Sequence, residues 1–158
     1  MKQQDAIAIL KADHKTVKGL FKDADELSER ATTQLKKIGD QICEELTVHA
    51  EIEETIFYPA VKQRAGRGRK EERQLVLESY EEHALVKTLV EEMRELDATD
   101  ETYRAKLKVL HELVDSHVKE EERELFPAVK EMMDEDELTA LGGEMVEKKA
   151  ELQAEMPA

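Results

Sequence analysis

The sequence predicts an all-α protein: an antiparallel up-down-up-down four-helix bundle with an additional short helical segment at the C-terminus. Three observations carry this. Of the 158 residues, 39% are charged and 4% aromatic, with no Trp, a mixture that suits long amphipathic helices and gives little support to strands. Four long segments place apolar residues at alternating steps of three and four, one stripe per segment, with Lys and Glu filling the other faces. The breaks between them are short, and short connections between long helices make antiparallel neighbours.

Helix A carries Ile7, Leu10, His14, Val17, Phe21 and Ala24 on its stripe. Ala31-Thr32-Thr33 then offers hydroxyl caps for helix B, whose stripe is Leu35, Ile38, Ile42, Leu46, His49, Glu53, Ile56 and Ala60. Gly66-Arg67-Gly68 is a flexible turn into helix C, with Val76, Tyr80, His83, Val86, Val90 and Met93. Asp97-Ala98-Thr99-Asp100 ends helix C and caps helix D, which carries Tyr103, Leu107, Leu110, Val114, His117, Glu121, Leu125, Ala128 and Met132. Pro59 and Pro127 fall inside helical pattern and should kink or end helices B and D. Residues 1–133 form the bundle. Residues 134–158 form an extension on or near it, opened by Asp134 and Glu137 as a carboxylate capping box. Gly142-Gly143 should break this extension into two short helices outside the bundle.

The charge balance is acidic, 24 basic against 38 acidic residues, a net charge of −14. Such a surface repels phosphate backbones and anionic membranes, so neither nucleic acid nor membrane is an expected partner. The basic cluster from Lys62 to Arg73 is read as a solvated loop beside a helix C-terminus, where cations suit the dipole. Cys43 is the only cysteine, so no internal disulfide forms and a cytoplasmic location is expected. It is read as a small core hydrophobe. No apolar run reaches membrane-spanning length, and MKQQDAIAILKADH lacks a signal-peptide pattern.

The chain repeats itself. HAEIEETIFYPAVK from His49 aligns without a gap on HVKEEERELFPAVK from His117, sixty-eight residues later. Upstream, His14 matches His83, each preceded by an acid, Asp13 or Glu82. Helices A and B therefore read as a copy of C and D, which gives the bundle an approximate two-fold axis.

An inward stripe should read Leu, Ile, Val, Ala. This one holds four His and two Glu, with no Lys or Arg to pair them. A buried carboxylate without a partner is costly unless a cation compensates it. Residues four apart share a helix face, so His49 with Glu53, and His117 with Glu121, each present N and O donors to one point. Imidazole with carboxylate suits iron, manganese or zinc; several imidazoles without thiolate favour redox-capable iron. Six donors exceed one tetrahedral zinc. Two metals sharing both Glu as bridges would use every donor, leaving positions for a bridging oxygen species and an exogenous ligand. His111 has no such pattern (its repeat mate is Cys43) and is read as structural or surface. Glu51, Glu54, Glu120 and Glu122 fall off the stripe and are read as solvated. Phe57, Tyr58, Leu125 and Phe126 are read as packing.

Asp13-His14, His49-x-x-x-Glu53, Glu82-His83 and His117-x-x-x-Glu121, with Phe/Tyr-Pro after each second motif, resemble the hemerythrin-like family of HHE cation-binding domains over residues 5–133. The resemblance implies a four-helix bundle around a non-heme di-iron centre that binds dioxygen or a related small ligand, peroxide or nitric oxide. It makes His14, His49, His83 and His117 terminal imidazoles, and Glu53 and Glu121 bridging carboxylates. Oxygen-carrying members have a further His one turn from the third-helix ligand. Here Ser79, Tyr80, Val86 and Lys87 stand at those positions. The departure points to the four-His, two-Glu branch, with roles in oxidative or nitrosative stress, in iron or oxygen sensing, or as a catalase-like enzyme. Tyr80 is placed to approach the metal or a bound ligand, with packing as its simpler role. The oligomeric state is left open, a monomer included.

Overall fold

The computed structural model describes residues 4–156; the outermost ends of the two expected segments, residues 1–3 and 157–158, lie outside them. The elements among the described residues are all helical: α1 (Ala6–Asp25), α2 (Thr32–Ile52), α3 (Tyr58–Ala65), α4 (Lys70–Glu95), α5 (Glu101–Glu120), α6 (Phe126–Met132) and α7 (Glu135–Glu155), with π-helical turns Glu53–Phe57 and Glu121–Leu125 joining α2 to α3 and α5 to α6. Thus α2 with α3 is the expected helix B, and α5 with α6 is helix D. Helix α1 packs on α2 and α5, and α4 packs on α2, α3 and α5, closing a four-membered bundle. No described helix is long and apolar enough to cross a membrane.

Caps follow the local chemistry. Asp5 accepts from the Ala8 amide, Asp100 from Thr102 and Asp134 from Glu137, each satisfying a donor that the first helical turn leaves unpaired. The expected hydroxyl cap on α2 is not used: Ala31 stands at that position. The Glu137 carboxylate does not complete a capping box but pairs with Arg64 at 3.0 Å. The basic loop is tied to the protein: Arg64 Nε donates to the Met132 carbonyl and Arg73 to that of Gly66.

The prolines do not end their helices. Pro59 and Pro127 each follow a π turn, in which the Tyr58 amide bonds the Glu53 carbonyl and the Phe126 amide bonds that of Glu121. A proline ring clashes with the carbonyl four residues back, and one extra residue in the preceding turn makes room. That residue also shifts the register, so the consecutive pairs Phe57-Tyr58 and Leu125-Phe126 are all buried. The inward stripe beyond Glu53 is therefore Phe57, Tyr58 and Val61; Ile56 and Ala60, expected there, are only partly buried.

The C-terminal extension also differs from expectation. It is one unbroken helix of 21 residues, α7, lying against α1 and α2. Two glycines cost helix stability, but a Cβ at Gly142 would stand 2.3 Å from the Gln4 carbonyl oxygen. Gly142 lets α7 touch the chain entering α1, and Leu138 and Met145 join Ile7, Ile52 and Tyr58 in one apolar cluster. A second cluster, including Phe21, Leu35, Ile42, Cys43, Val90 and Tyr103, fills the opposite half. Burial pushes the Cys43 thiol up to about 11, as befits an inert core residue.

Candidate metal centre

Between the two apolar clusters lie the buried polar residues His14, His49, His83, His117, Glu53 and Glu121, with both glutamates at most 1% exposed. Each half of the chain supplies a His from its first helix and a His one turn before a π turn. Glu53 and Glu121 are the first residues of those turns.

The donors converge. Glu53 Oε1 lies 3.1 Å from both His49 Nε2 and His83 Nε2. Glu121 Oε1 lies 3.1 Å from His14 Nε2 and 3.4 Å from His117 Nε2. Despite these approaches, His14 Nε2, His49 Nε2, both Glu53 oxygens and Glu121 Oε1 are buried without hydrogen-bond geometry to any described residue. Atoms aimed at a common point rather than at one another suit a cation. Two groups of donor atoms each fall within 4.8 Å: His14, His49, Glu53 and Glu121, and Glu53, His83 and His117. Glu53 belongs to both.

A ring of carboxylates braces the four imidazoles from behind. Asp13 of α1 accepts from His49 Nδ1 of α2 at 2.9 Å, and Glu54, in the following π turn, from His83 Nδ1 of α4 at 2.9 Å. Glu82 of α4 accepts from His117 Nδ1 of α5 at 2.8 Å, and Glu122 from His14 Nδ1 of α1 at 2.7 Å. Each helix thus braces the imidazole of the next, and Nδ1–H donation fixes the tautomer that turns Nε2 inward. Glu54 and Glu122, expected to be solvated, belong to this ring. The repeat carried the signal: both stand five residues after a His.

Tyr58, expected only to pack, also reaches the donors. Its hydroxyl donates to Glu121 Oε2 at 2.6 Å and lies 3.4 Å from His83 Nε2 and 3.3 Å from His117 Nε2. Its repeat mate Phe126 instead stacks on His14, 5.9 Å between ring centres. One hydroxyl therefore breaks the two-fold symmetry, and the Tyr/Phe mismatch was the visible sign. Tyr80 does not reach the donors: its hydroxyl donates to the Glu54 carbonyl at 3.2 Å and its ring packs on Tyr58. His111 lies outside the cluster, stacked on Phe21.

The electrostatics are those of a charged interior. Burial works against the imidazolium of His49, but the Glu53 charge and the Asp13 hydrogen bond hold its pKa up at about 10. His83 and His117 are raised in the same way against burial. Burial would raise Glu53; the neighbouring imidazoles hold it well below its usual range. Burial and the Glu121 and Glu53 charges push Tyr58 up, keeping its O–H a donor.

The model of the hemerythrin HHE cation-binding domain matches residues 5–129. The chain belongs to that family. Its fold resembles the crystal structure of a hemerythrin HHE cation-binding domain-containing protein from Mycobacterium kansasii, with a TM-score of 0.79, 24% identity, and 96% of this chain and 88% of that one covered. It is also 26% identical over 145 residues to a protein of Nostoc sp. named as a DNA nickase, a match that spans 92% of this chain but 39% of that protein. In this hemerythrin-family domain, the His/Glu cluster is able to bind metal.

Proposed function

We propose that this domain is a non-heme di-iron protein that binds dioxygen, or the related ligands peroxide and nitric oxide, in oxidative or nitrosative stress response or in iron or oxygen sensing. The observation that carries this reading is the convergence of Nε2 and carboxylate atoms from four helices, among them His14 Nε2, His49 Nε2, both Glu53 oxygens and Glu121 Oε1, all buried and unpartnered. His14 and His49 would help hold one iron and His83 and His117 the other, with Glu53 and Glu121 as the carboxylates shared between them. The lack of thiolate among these donors favours iron. When bound, such a pair supplies redox and Lewis-acid chemistry. The protein's own part is to fix the imidazoles through the carboxylate ring. The lone, buried Cys43 thiol suits a reducing cytoplasm.

Metal analysis of aerobically purified protein tests this: about two irons per chain are expected, with near-ultraviolet absorption of a bridged ferric pair. A single zinc per chain overturns it. A catalase-like activity is the second reading, favoured by Tyr58. Disproportionation of hydrogen peroxide moves protons between oxygens, and Tyr58 O–H is a proton-bearing group aimed at Glu121 inside the cluster. Oxygen release from peroxide, lost in Glu121→Ala and reduced in Tyr58→Phe, supports that reading; no turnover returns the protein to ligand binding alone. The DNA nicking named for the Nostoc protein is not carried over, since most of that protein lies outside the match and the net charge of −14 here opposes phosphate backbones.

A further inference from the structure

Between α1 and α5 runs a surface groove of about 420 Å³ whose walls include Lys11, Lys15, Lys18, Lys119 and Arg123 over an apolar floor of Val17, Phe21, Val114 and Val118. The two carboxylates on its walls are already engaged: Asp115 with Lys119 at 2.9 Å and Glu122 with His14 at 2.7 Å. Five cations against two carboxylates, with Lys119 already held by Asp115, leave this groove locally positive in a chain whose net charge is −14.

A second, small cavity of about 30 Å³ lies behind the groove and touches His14, His49, His83 and His117. Its volume holds roughly two water-sized bodies, so it admits a ligand of two or three heavy atoms. His14, Val17, Val114 and Val118 line both spaces. These three branched side chains and one imidazole form the partition between them.

We propose that small anions reach the metal centre by this groove, concentrated by its cations and admitted through the Val17–Val114–Val118 partition. The inference rests on the metal-centre reading and adds the ligand class and the route. Over most of this surface an anion is repelled; a cationic cleft with low-dielectric walls focuses the field and raises the association rate. A neutral ligand gains nothing from the cations but must pass the same valines. The valines select by size, the rim by charge.

The test uses full-length protein whose metal content has been measured, with azide as a small linear anion and nitric oxide as a neutral ligand. In the Lys15→Glu/Lys18→Glu/Arg123→Glu variant, azide association followed by stopped-flow absorbance is expected to slow about tenfold or more at low salt. That gap should close as salt rises, while nitric oxide binds at an unchanged rate. Val118→Phe is expected to slow both ligands. An unchanged azide rate in the charge-reversed variant, or equal slowing of both ligands by it, overturns the proposal. A readout independent of metal is the amide shifts of Val17, Phe21 and Val118 on titrating metal-free protein with azide. These are expected to move in the parent and to stay still in the charge-reversed variant; still signals in the parent overturn the groove. Protein without transition metal would defeat the underlying reading, while the metal-free titration still decides whether the groove takes anions.

Discussion

Lys149 Nζ lies 2.8 Å from Asp13 Oδ1, and the other oxygen of the same carboxylate accepts from His49 Nδ1 at 2.9 Å. A residue of α7, beyond the segment matched by the family model, thus touches the candidate centre through a single buried carboxylate. Asp13→Ala should weaken metal binding about 10–100-fold, the usual effect of removing a group that orients a metal-binding histidine. Lys149→Met should weaken it only about two- to fivefold, because the side chain is 31% exposed and such pairs are worth about 0.2–1 kcal/mol. Competition with a chromogenic chelator measures both; equal losses would refute this ordering.

Tyr58→Phe removes the O–H donated to Glu121 Oε2 and leaves a buried carboxylate oxygen unsatisfied. The expected cost is about 1–3 kcal/mol, read from urea unfolding of metal-free protein. The reciprocal Phe126→Tyr brings its hydroxyl next to His14 and should not restore the loss.

Metal-free protein should be most stable near pH 5–6. Asp13, Glu53, Glu54 and Glu82 are held below their ordinary values, so their contribution is present above about pH 4.5 and lost as pH falls. His49, His83 and His117 are raised; the folded state then binds more protons, and stability declines as pH rises from about 6.5 toward 10. Metal competes with those protons, so the affinity for metal should increase over the same interval. Calorimetric Tm values at pH 5.5, 7 and 9, with and without metal, check both trends.

Chelation should lower Tm. The donors lie on four helices and meet only in the folded chain, so bound metal stabilises the folded state selectively. An unchanged Tm after verified removal of metal would point to an inert helical bundle.

Gly142→Ala should destabilise the protein by about 1–3 kcal/mol, since the added carbon meets the Gln4 backbone and must push α7 from α1. Metal binding should weaken with it, because Lys149 moves with the helix. Denaturant titration and chelator competition read the two effects separately.

The four stripes and the six candidate donors were legible because each His sits at helical spacing and the repeat marks it twice. What followed Glu53 and Glu121 was less legible. Proline chemistry predicted a disturbance, but a break and a widened turn look alike in a periodicity, so Ile56, Ala60 and Ala128 were placed on the inward stripe one residue away from Phe57, Val61 and Val129, which are buried. Glu54 and Glu122 read as surface for a related reason: their partners stand on a neighbouring helix, and an intrahelical stripe carries no information about that. Gly142-Gly143 suggested a break because glycine penalises helices in isolation; only the close approach of the Gln4 backbone reverses that reading.

The carboxylate ring bears on what each half of the duplicated chain can do alone. A hairpin of α1 and α2 would hold His49 firmly but leave His14 loose, since the group that steadies it comes from the second half. The second hairpin would steady His117 and lack the support for His83. Neither half is self-sufficient; only when the two clasp does the circuit close, so docking of the halves and assembly of the centre are one event.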